Sequence, residues 1–145
     1  MVSMNNIEMK DNETMRVAIL IASKNGANNI ETTVASAIPQ ADVFVVSDGS
    51  TDNTAMVAAE LGAEVLDLNV NVGKPVALRK AFDHFRLNEE YDWVGIVDDD
   101  TILAPDFIFE CLRVVSDDVG IVCGHTQSQY LTDSTLWSNV WRSRS

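Results

Sequence analysis

Short apolar runs and amphipathic segments alternate along most of this chain. Most of the runs contain almost no polar residue, which predicts strands that are covered on both faces. They lie at residues 16–22, 43–46, 64–68, 93–97 and 119–123. Strands that alternate with helices at this spacing predict an α/β fold, with a mostly parallel sheet and right-handed crossovers.

The segments between the runs carry apolar residues at helical spacing. Asn28 and Glu31 predict a capping box at the start of the first segment. Gly62 is predicted to end the second helix, and Pro75 lies where the first turn of the third is expected. The predicted helices span residues 28–38, 55–63, 75–85 and 104–115.

The two ends of the chain lack this alternation. Residues 1–15 are polar and predict a flexible leader, without the apolar run of a signal peptide. Residues 16–123 hold all the predicted elements, and residues 124–145 predict a tail or the start of a further part. No window is apolar over the length of a membrane span, so we expect a cytoplasmic location.

Composition narrows the possible partners. The chain has 145 residues, 46% of them hydrophobic, and this is enough for one domain with its own core. Its net charge of −12 argues against a nucleic-acid partner, which needs a basic face. A phosphate ligand remains possible, because a metal ion or a few local cations suffice to hold one. Cys111 and Cys123 form neither a zinc pattern nor a disulfide framework, so we expect two buried, reduced thiols.

Polar clusters follow three of the five predicted strands. They are the segments Ser23–Gly26, Ser47–Ser50 and Asp98–Asp100. If the sheet is parallel, all three lie at its carboxyl edge, which is where open α/β sheets bind their ligands. This convergence predicts one binding site built from three strand ends.

Three consecutive aspartates at residues 98–100 are the strongest of these signals. Alternate residues of an extended segment point the same way, so Asp98 and Asp100 can share one ion while Asp99 faces away. Hard cations such as Mg²⁺ and Mn²⁺ take oxygen ligands of this kind. The alternative is a solvated loop with an aspartate that caps the next helix.

Two further side chains are candidates for ligand binding. Asp48 can accept hydrogen bonds from a nucleobase or a ribose, although Asp-Gly-Ser is also ordinary turn sequence, in which Ser50 or Asp52 caps the next helix. Lys74 stands at a predicted helix start, where a cation is unfavourable unless it holds an anion. The alternative for Lys74 is a solvated helix face.

Four blocks of the chain carry a resemblance to a known family. They read AILIASKNGANNIETTVASA, VFVVSDGSTDNTAMVAAELGAEV, NVGKPVALRKAF and WVGIVDDDTILAPDFI. In order and spacing they resemble family 2 glycosyltransferases with the GT-A fold, a Rossmann-like sheet with helices on both faces. The resemblance covers residues 16–123, which it identifies as the nucleotide-sugar-binding half. Residues 124–145 would then begin the acceptor half.

The resemblance implies an inverting transferase with a nucleotide-sugar donor, usually a UDP-sugar, and a Mg²⁺ or Mn²⁺ cofactor. The implied acceptor is a saccharide or a lipid-linked molecule. Asp100 matches the closer metal ligand and Asp98 the residue nearer the ribose, which also belongs to the metal motif. The matching nucleotide-sugar residues are Ala22, Ser23, Lys24, Asn25, Asp48, Lys74, Asp98 and Asp99, with the middle aspartate expected to matter least.

The chain departs from the family at three points. Ala22 and Ser47 stand where the family usually has proline and commonly aspartate. The general base of the family is not visible after Asp100 and is expected beyond Ser145. If the protein is a polysaccharide synthase at the cytoplasmic face of a membrane, membrane spans are expected there as well. Three alternatives stay open: a donor-binding fragment without turnover, a sugar-phosphate nucleotidyltransferase and a phospho-acceptor receiver domain.

Overall fold

The computed structural model describes residues 6–8 and 14–126. Its strands are β1 (Asn6–Glu8), β2 (Thr14–Ser23), β3 (Asp42–Asp48), β4 (Glu64–Leu68) and β5 (Trp93–Asp98). Its helices are α1 (Ala27–Ala37), α2 (Thr54–Glu60), α3 (Lys74–His84), α4 (Leu87–Glu90) and α5 (Phe107–Leu112). The chain divides into two compact units, residues 1–105 and 106–145.

The sheet lies in the first unit and contains four parallel strands in the order β4-β3-β2-β5. The chain builds outward from β2 to β4, then crosses back and adds β5 on the other side of β2. The carboxyl ends are in register, since Ser23 lies opposite Ser47 and Ala22 lies opposite Asp98. The order of the strands therefore reverses at β2, and such reversals are where open α/β sheets bind ligands.

Helices cover both faces of β2 and β3. Alternate residues Ala18 and Leu20 of β2 join one buried cluster with Phe44 of β3 and with Ala77 and Ala81 of α3. The intervening residues, Ile19, Ile21 and Val45, are fully buried and face the opposite way. On that side α1 and α2 pack against β3. Burial on both faces explains why these strands read as unbroken apolar runs.

Four of the five predicted strands are confirmed, but the fifth is wrong. Residues 119–123 contain an isolated bridge at Cys123 and no strand. The side chain of Ile121 is 71% exposed, so this short apolar run is not covered as a core strand must be. Cys123 is exposed as well, against the expectation of two buried thiols. Cys111 is half-buried, and burial, with a smaller effect of Glu110, raises the pKa of its thiol.

The predicted helices are present with shifted ends. Helix α5 is shorter than predicted, and α3 has its proline in the first turn as expected. Gly62, with φ +101°, follows the end of α2. The predicted capping box is wrong, because α1 begins after Gly26 and no side chain of its own caps it. Groups from the β3–α2 loop and from the start of α2 serve instead, with Asp52 Oδ2 accepting from Ala27 N at 3.1 Å and Thr54 Oγ1 from Gly26 N at 3.0 Å.

The chain ends are described only in part. Strand β1 lies inside the segment predicted as a flexible leader and pairs antiparallel with the beginning of β2, so that segment is not loop throughout. Residues 127–145, and with them most of the predicted C-terminal part, lie outside the described residues. Within the described part of the chain, no helix has both the length and the apolar character needed to cross a membrane.

Candidate functional site

A cleft opens at the carboxyl edge of the sheet, where β2, β3 and β5 end. Its volume is about 420 Å³, within the usual range for small-molecule sites. It is lined by Ala22, Ser23, Lys24, Asp48, Asn71, Gly73, Lys74, Asp98, Asp99 and Asp100. The structure therefore brings together eight of the nine predicted site residues and leaves out Asn25.

The three aspartates lie in a turn and not in an extended segment. Asp98 is the last residue of β5, and its carbonyl oxygen accepts a hydrogen bond from Thr101 N at 3.1 Å, which closes the turn. The expectation that alternate residues point one way in an extended strand is wrong here, because the strand has already ended. All three aspartates line the cleft.

Asp99 does not face away from the site. Its carboxylate accepts a hydrogen bond from the hydroxyl of Ser23, which is only 3% exposed. Its backbone carbonyl accepts another from Thr33 Oγ1 at 2.8 Å. A Cβ at Gly26 would overlap the same carboxylate. Asp99 therefore ties the aspartate turn to the end of β2 and to α1.

Asp98 and Lys74 form an ion pair between the end of β5 and the start of α3. The pair is solvated, with half of the lysine side chain and 61% of the aspartate side chain exposed. Exposed pairs of this kind contribute little to stability, typically below about 1 kcal/mol. Both groups consequently remain accessible to a ligand that enters the cleft.

Asp100 and Lys24 are exposed, and their side chains make no hydrogen bond or ion pair with any residue the structure describes. The cleft as a whole holds four carboxylates, contributed by Asp48 and the aspartate turn, against the ammonium groups of Lys24 and Lys74. The formal excess of two negative charges favours a cation beside Asp100.

The donor set fits a hard divalent cation that shares its ligands with a substrate. Among the described residues, no group of three or more His, Cys, Asp or Glu side chains has the arrangement of a metal site. Asp98 and Asp100 are two exposed carboxylates on one turn, and they are oxygen donors of the kind and number that Mg²⁺ commonly takes from a protein when phosphate oxygens and water supply the other ligands.

Asp48 occupies the floor of the cleft and is 5% exposed. Its two oxygens accept hydrogen bonds from successive backbone amides, Val72 N at 2.8 Å and Gly73 N at 3.0 Å. Asn71 accepts a further bond from Gly73 N at 2.9 Å through its side-chain oxygen. Asn71 and Gly73 are cleft residues that the sequence did not predict, since they read only as a loop.

Asn25 lies outside the cleft because its side chain serves a neighbouring loop. It has a left-handed backbone, φ +52°, and its side-chain oxygen accepts a hydrogen bond from Thr51 N at 2.8 Å. The backbone N–H of Asn25 donates a hydrogen bond to Ser50 Oγ at 3.0 Å. Asn25 thus joins the end of β2 to the β3–α2 loop and supports the cleft wall from behind.

Asp52 completes this support. One oxygen accepts from α1, as described, and the other accepts from the backbone amide of Thr54 at 3.0 Å and from its hydroxyl. These bonds, above all that from the Thr54 hydroxyl, lower the pKa of the Asp52 carboxyl. Asp52 therefore satisfies the first amides of two helices, where the sequence predicted a cap for one.

Comparison with solved structures identifies the architecture. Mannosyl-3-phosphoglycerate synthase from Rubrobacter xylanophilus is 25% identical, with a TM-score of 0.60 over 72% of this chain and 38% of that one. Glucosyl-3-phosphoglycerate synthase from M. tuberculosis is 25% identical, with a TM-score of 0.56 over 68% of this chain and 39% of that one. The latter enzyme has also been solved with Mn²⁺, UDP and phosphoglyceric acid, in a structure 22% identical to this chain with a TM-score of 0.60 over 72% of this chain and 41% of that one. The fold is the GT-A fold of these glycosyltransferases.

The sequence comparisons point to the same group. Poly-beta-1,6-N-acetyl-D-glucosamine synthase from Staphylococcus epidermidis is 29% identical over 101 residues, which are 64% of this chain and 24% of that protein. The chain thus spans about a quarter of the length of this curated relative. The family model described as glycosyl transferase family 2 matches residues 18–144. The chain belongs to glycosyl transferase family 2.

Proposed function

We propose that the cleft binds a UDP-sugar together with Mg²⁺ or Mn²⁺, for inverting transfer of the sugar to a saccharide or lipid-linked acceptor. The observation that carries the proposal is the convergence of three parallel strand ends, with eight predicted site residues, on one cleft where the strand order reverses. Solved glycosyltransferases of the same fold have been crystallised with UDP and with Mg²⁺ or Mn²⁺.

Different side chains around the cleft are proposed to hold different parts of the donor. Asp100, with Asp98, is proposed to hold the metal beside the diphosphate, and Asp98 also faces the ribose. When bound, the metal would stabilise the negative charge that develops on the departing diphosphate. Lys74 adds a cation at the opposite wall, where it can exchange its contact with Asp98 for a phosphate oxygen.

The remaining lining is proposed to hold the nucleoside. Ala22, Ser23 and Lys24 form the end of β2 beside the aspartate turn, and Asp48 closes the floor. A carboxylate has about four lone-pair sites, so the two backbone bonds at Asp48 leave it able to accept from a base N–H. Asn25 supports this wall without lining it.

The whole protein is proposed to be a polysaccharide synthase that works at the cytoplasmic face of a membrane, by analogy with the relative named for that activity. The chain spans about a quarter of that relative, so catalytic turnover is proposed for the whole protein and not for the cleft alone. The cleft accounts for donor binding, and the general base is proposed to lie outside it. A second candidate is consequently a donor-binding part without turnover of its own.

Calorimetric titration of UDP with Mn²⁺ tests the proposal. The parent chain should bind UDP only with the metal present, and Asp100→Ala should weaken binding by about 100-fold or more, since it removes a direct metal ligand. Asp83→Ala is the control, because it deletes an exposed carboxylate of α3 that lies outside the cleft. Absence of UDP binding by the parent, or equal binding by Asp100→Ala, would contradict the proposal.

Turnover separates the two candidates. The chain can be supplied with UDP-N-acetylglucosamine or UDP-glucose, and release of UDP followed with and without an oligosaccharide acceptor. Binding that is accompanied by UDP release would favour a complete transferase site. Binding with no release from either donor would favour the donor-binding part.

A further inference from the structure

The loop between β4 and α3 has no regular structure of its own, yet it supplies Asn71 and Gly73 to the cleft and leads directly into Lys74, the first residue of α3. A loop of this kind holds its shape only if its backbone amides find partners. Gly73 N has a local acceptor in the side-chain oxygen of Asn71, and the long-range acceptor for the amides of Val72 and Gly73, across 24 and 25 residues of sequence, is the carboxylate of Asp48 at the end of β3.

Gly49 brings the two backbones close enough for these bonds. Its φ of +66° is left-handed, and a Cβ at this position would overlap the backbone of Val70 and Asn71. The end of β3 thus grips the loop at two adjacent points: Gly49 against residues 70–71, and Asp48 against the amides of Val72 and Gly73. Lys74 follows at once and is the first residue of α3.

We infer that Asp48 is a positioning residue for Lys74, in addition to any contact it makes with a nucleobase. The two bonds from Asp48 fix the residues directly before Lys74, and this fixes the point from which its ammonium reaches across the cleft to Asp98. The inference rests on the proposed function, because it assigns Lys74 to the diphosphate of the donor.

Pyrophosphate with Mg²⁺ is the probe that separates the two roles of Asp48, since it has the diphosphate but no base. If Asp48 only read the nucleobase, Asp48→Asn would leave pyrophosphate affinity unchanged, or strengthen it, because a negative charge is removed near an anion. If Asp48 positions Lys74, the affinity falls. The asparagine amide group cannot accept from a backbone N–H, so at least one of the two loop bonds is lost.

The expected result is pyrophosphate binding about 10-fold weaker in Asp48→Asn, comparable to the loss of other side chains that orient a ligating group. Gly49→Ala should do the same with the carboxylate intact, because its Cβ displaces the loop. Gly62→Ala is the matched control: it also places alanine at positive φ, +101°, but its nearest neighbour is 3.8 Å away and it lies outside the cleft. Circular dichroism establishes that each variant is folded.

A double-mutant cycle with Lys74→Met completes the test. In the Lys74→Met background, Asp48→Asn should change pyrophosphate affinity by less than about 2-fold, which is a non-additive result expected of residues that act through one another. Additive losses, or parental affinity in folded Asp48→Asn and Gly49→Ala, would overturn the inference. Failure of the parent chain to bind UDP would instead overturn the proposed function, so the two failures are distinguishable.

Discussion

The two ends of the same parallel sheet treat their charges in opposite ways. At the amino end Arg16 forms a 3.5 Å ion pair with Glu90, and its guanidinium stacks 4.9 Å over the ring of Tyr91. The Tyr91 hydroxyl donates to Asp42 at 2.7 Å, and Asp92 accepts from Arg16 N at 2.8 Å. At this end the polar groups named here are satisfied by other parts of the chain.

The carboxyl end is arranged differently. Four carboxylates face two ammonium groups, and Asp100 and Lys24 have no partner in the described part of the chain. An arrangement that leaves like charges together is poor for stability and is expected where a ligand completes the site. Aspartates therefore have different roles at the two ends: Asp42 and Asp92 join strands and loops, whereas Asp98 and Asp100 are available to a ligand.

Asp99→Ala should give the largest combined effect, because Asp99 belongs to both classes. Its removal leaves the buried Ser23 hydroxyl without a partner, which should lower the free energy of unfolding by about 1–3 kcal/mol. It also releases the aspartate turn, so UDP affinity with Mn²⁺ should fall. Chemical denaturation and calorimetry measure the two quantities, and Asp99→Asn, which keeps an acceptor for Ser23, should be milder in both.

Asp100→Ala provides the contrast for this prediction. It should lose metal-dependent binding with an unchanged free energy of unfolding. If Asp99→Ala proved as stable as the parent, the division between joining and ligand-facing carboxylates would not hold within the turn.

Tyr91→Phe should affect stability alone. It removes a hydrogen bond to a carboxylate at the amino end, which should lower the free energy of unfolding by about 1 kcal/mol and leave UDP affinity unchanged. Denaturation curves of the parent and the variant measure the loss. A change in UDP affinity would show that the two ends are coupled and would contradict the separation of their roles.

The dependence of stability on alkaline pH provides a second test of the role of Tyr91. Burial, together with the bond to Asp42, raises the pKa of Tyr91. Because the unfolded chain then releases this proton first, the stability contributed by Tyr91 is present below its unfolded pKa of about 10 and declines as the pH rises above that value. The difference between parent and Tyr91→Phe should accordingly shrink above that pH.

Arg16→Met should have a smaller effect, because it keeps an apolar stem but removes a solvated ion pair and a cation–π contact. We expect a loss of about 0.5–1 kcal/mol in the free energy of unfolding. Added salt should reduce the difference between parent and variant, since it screens exposed charges. A difference that does not respond to salt would assign the loss to packing.

Asp52→Asn should produce the smallest change, which should be present at neutral pH and should disappear as the pH falls into the acid range. The pKa of Asp52 is lowered by the Thr54 hydroxyl and by backbone amides, so its contribution to stability is present above its unfolded pKa of about 4. The contribution is lost as the pH falls through the lower, folded value. Acid denaturation of the variant should therefore be less steep than that of the parent, and identical curves would contradict this role.

The sequence predicted the sheet well, because burial on both faces leaves a direct trace in it. The runs that became β2 and β3 are almost entirely apolar and were found within two residues of their ends. Residues 119–123 have the same local pattern but no cover, and a short apolar run does not by itself reveal whether anything packs on it. The false strand there reflects this ambiguity.

The candidate site was predicted where strand ends carry it and missed where distant contacts build it. The aspartates of β5 and Asp48 of β3 follow apolar runs, so their common edge was foreseeable. The support of α1 by Asp52, and the capture of residues 72–73 by Asp48, join segments about 25 residues apart and have no local signature. For the same reason the sequence wrongly predicted that Asn25 lies in the cleft and that Asp99 faces away from it.

The position of the bound metal is the central claim, and paramagnetic broadening of NMR amide signals by Mn²⁺ with UDP measures it most directly. Ser23 lies seven positions after Arg16 along β2, which is about 23 Å at about 3.3 Å per residue. We expect the strongest broadening at Ser23, Gly73 and Asp98–Asp100 and the weakest at Arg16 and Asp92, and we expect Asp100→Ala to abolish the whole pattern. Broadening centred on the amino end, or unchanged in Asp100→Ala, would contradict it.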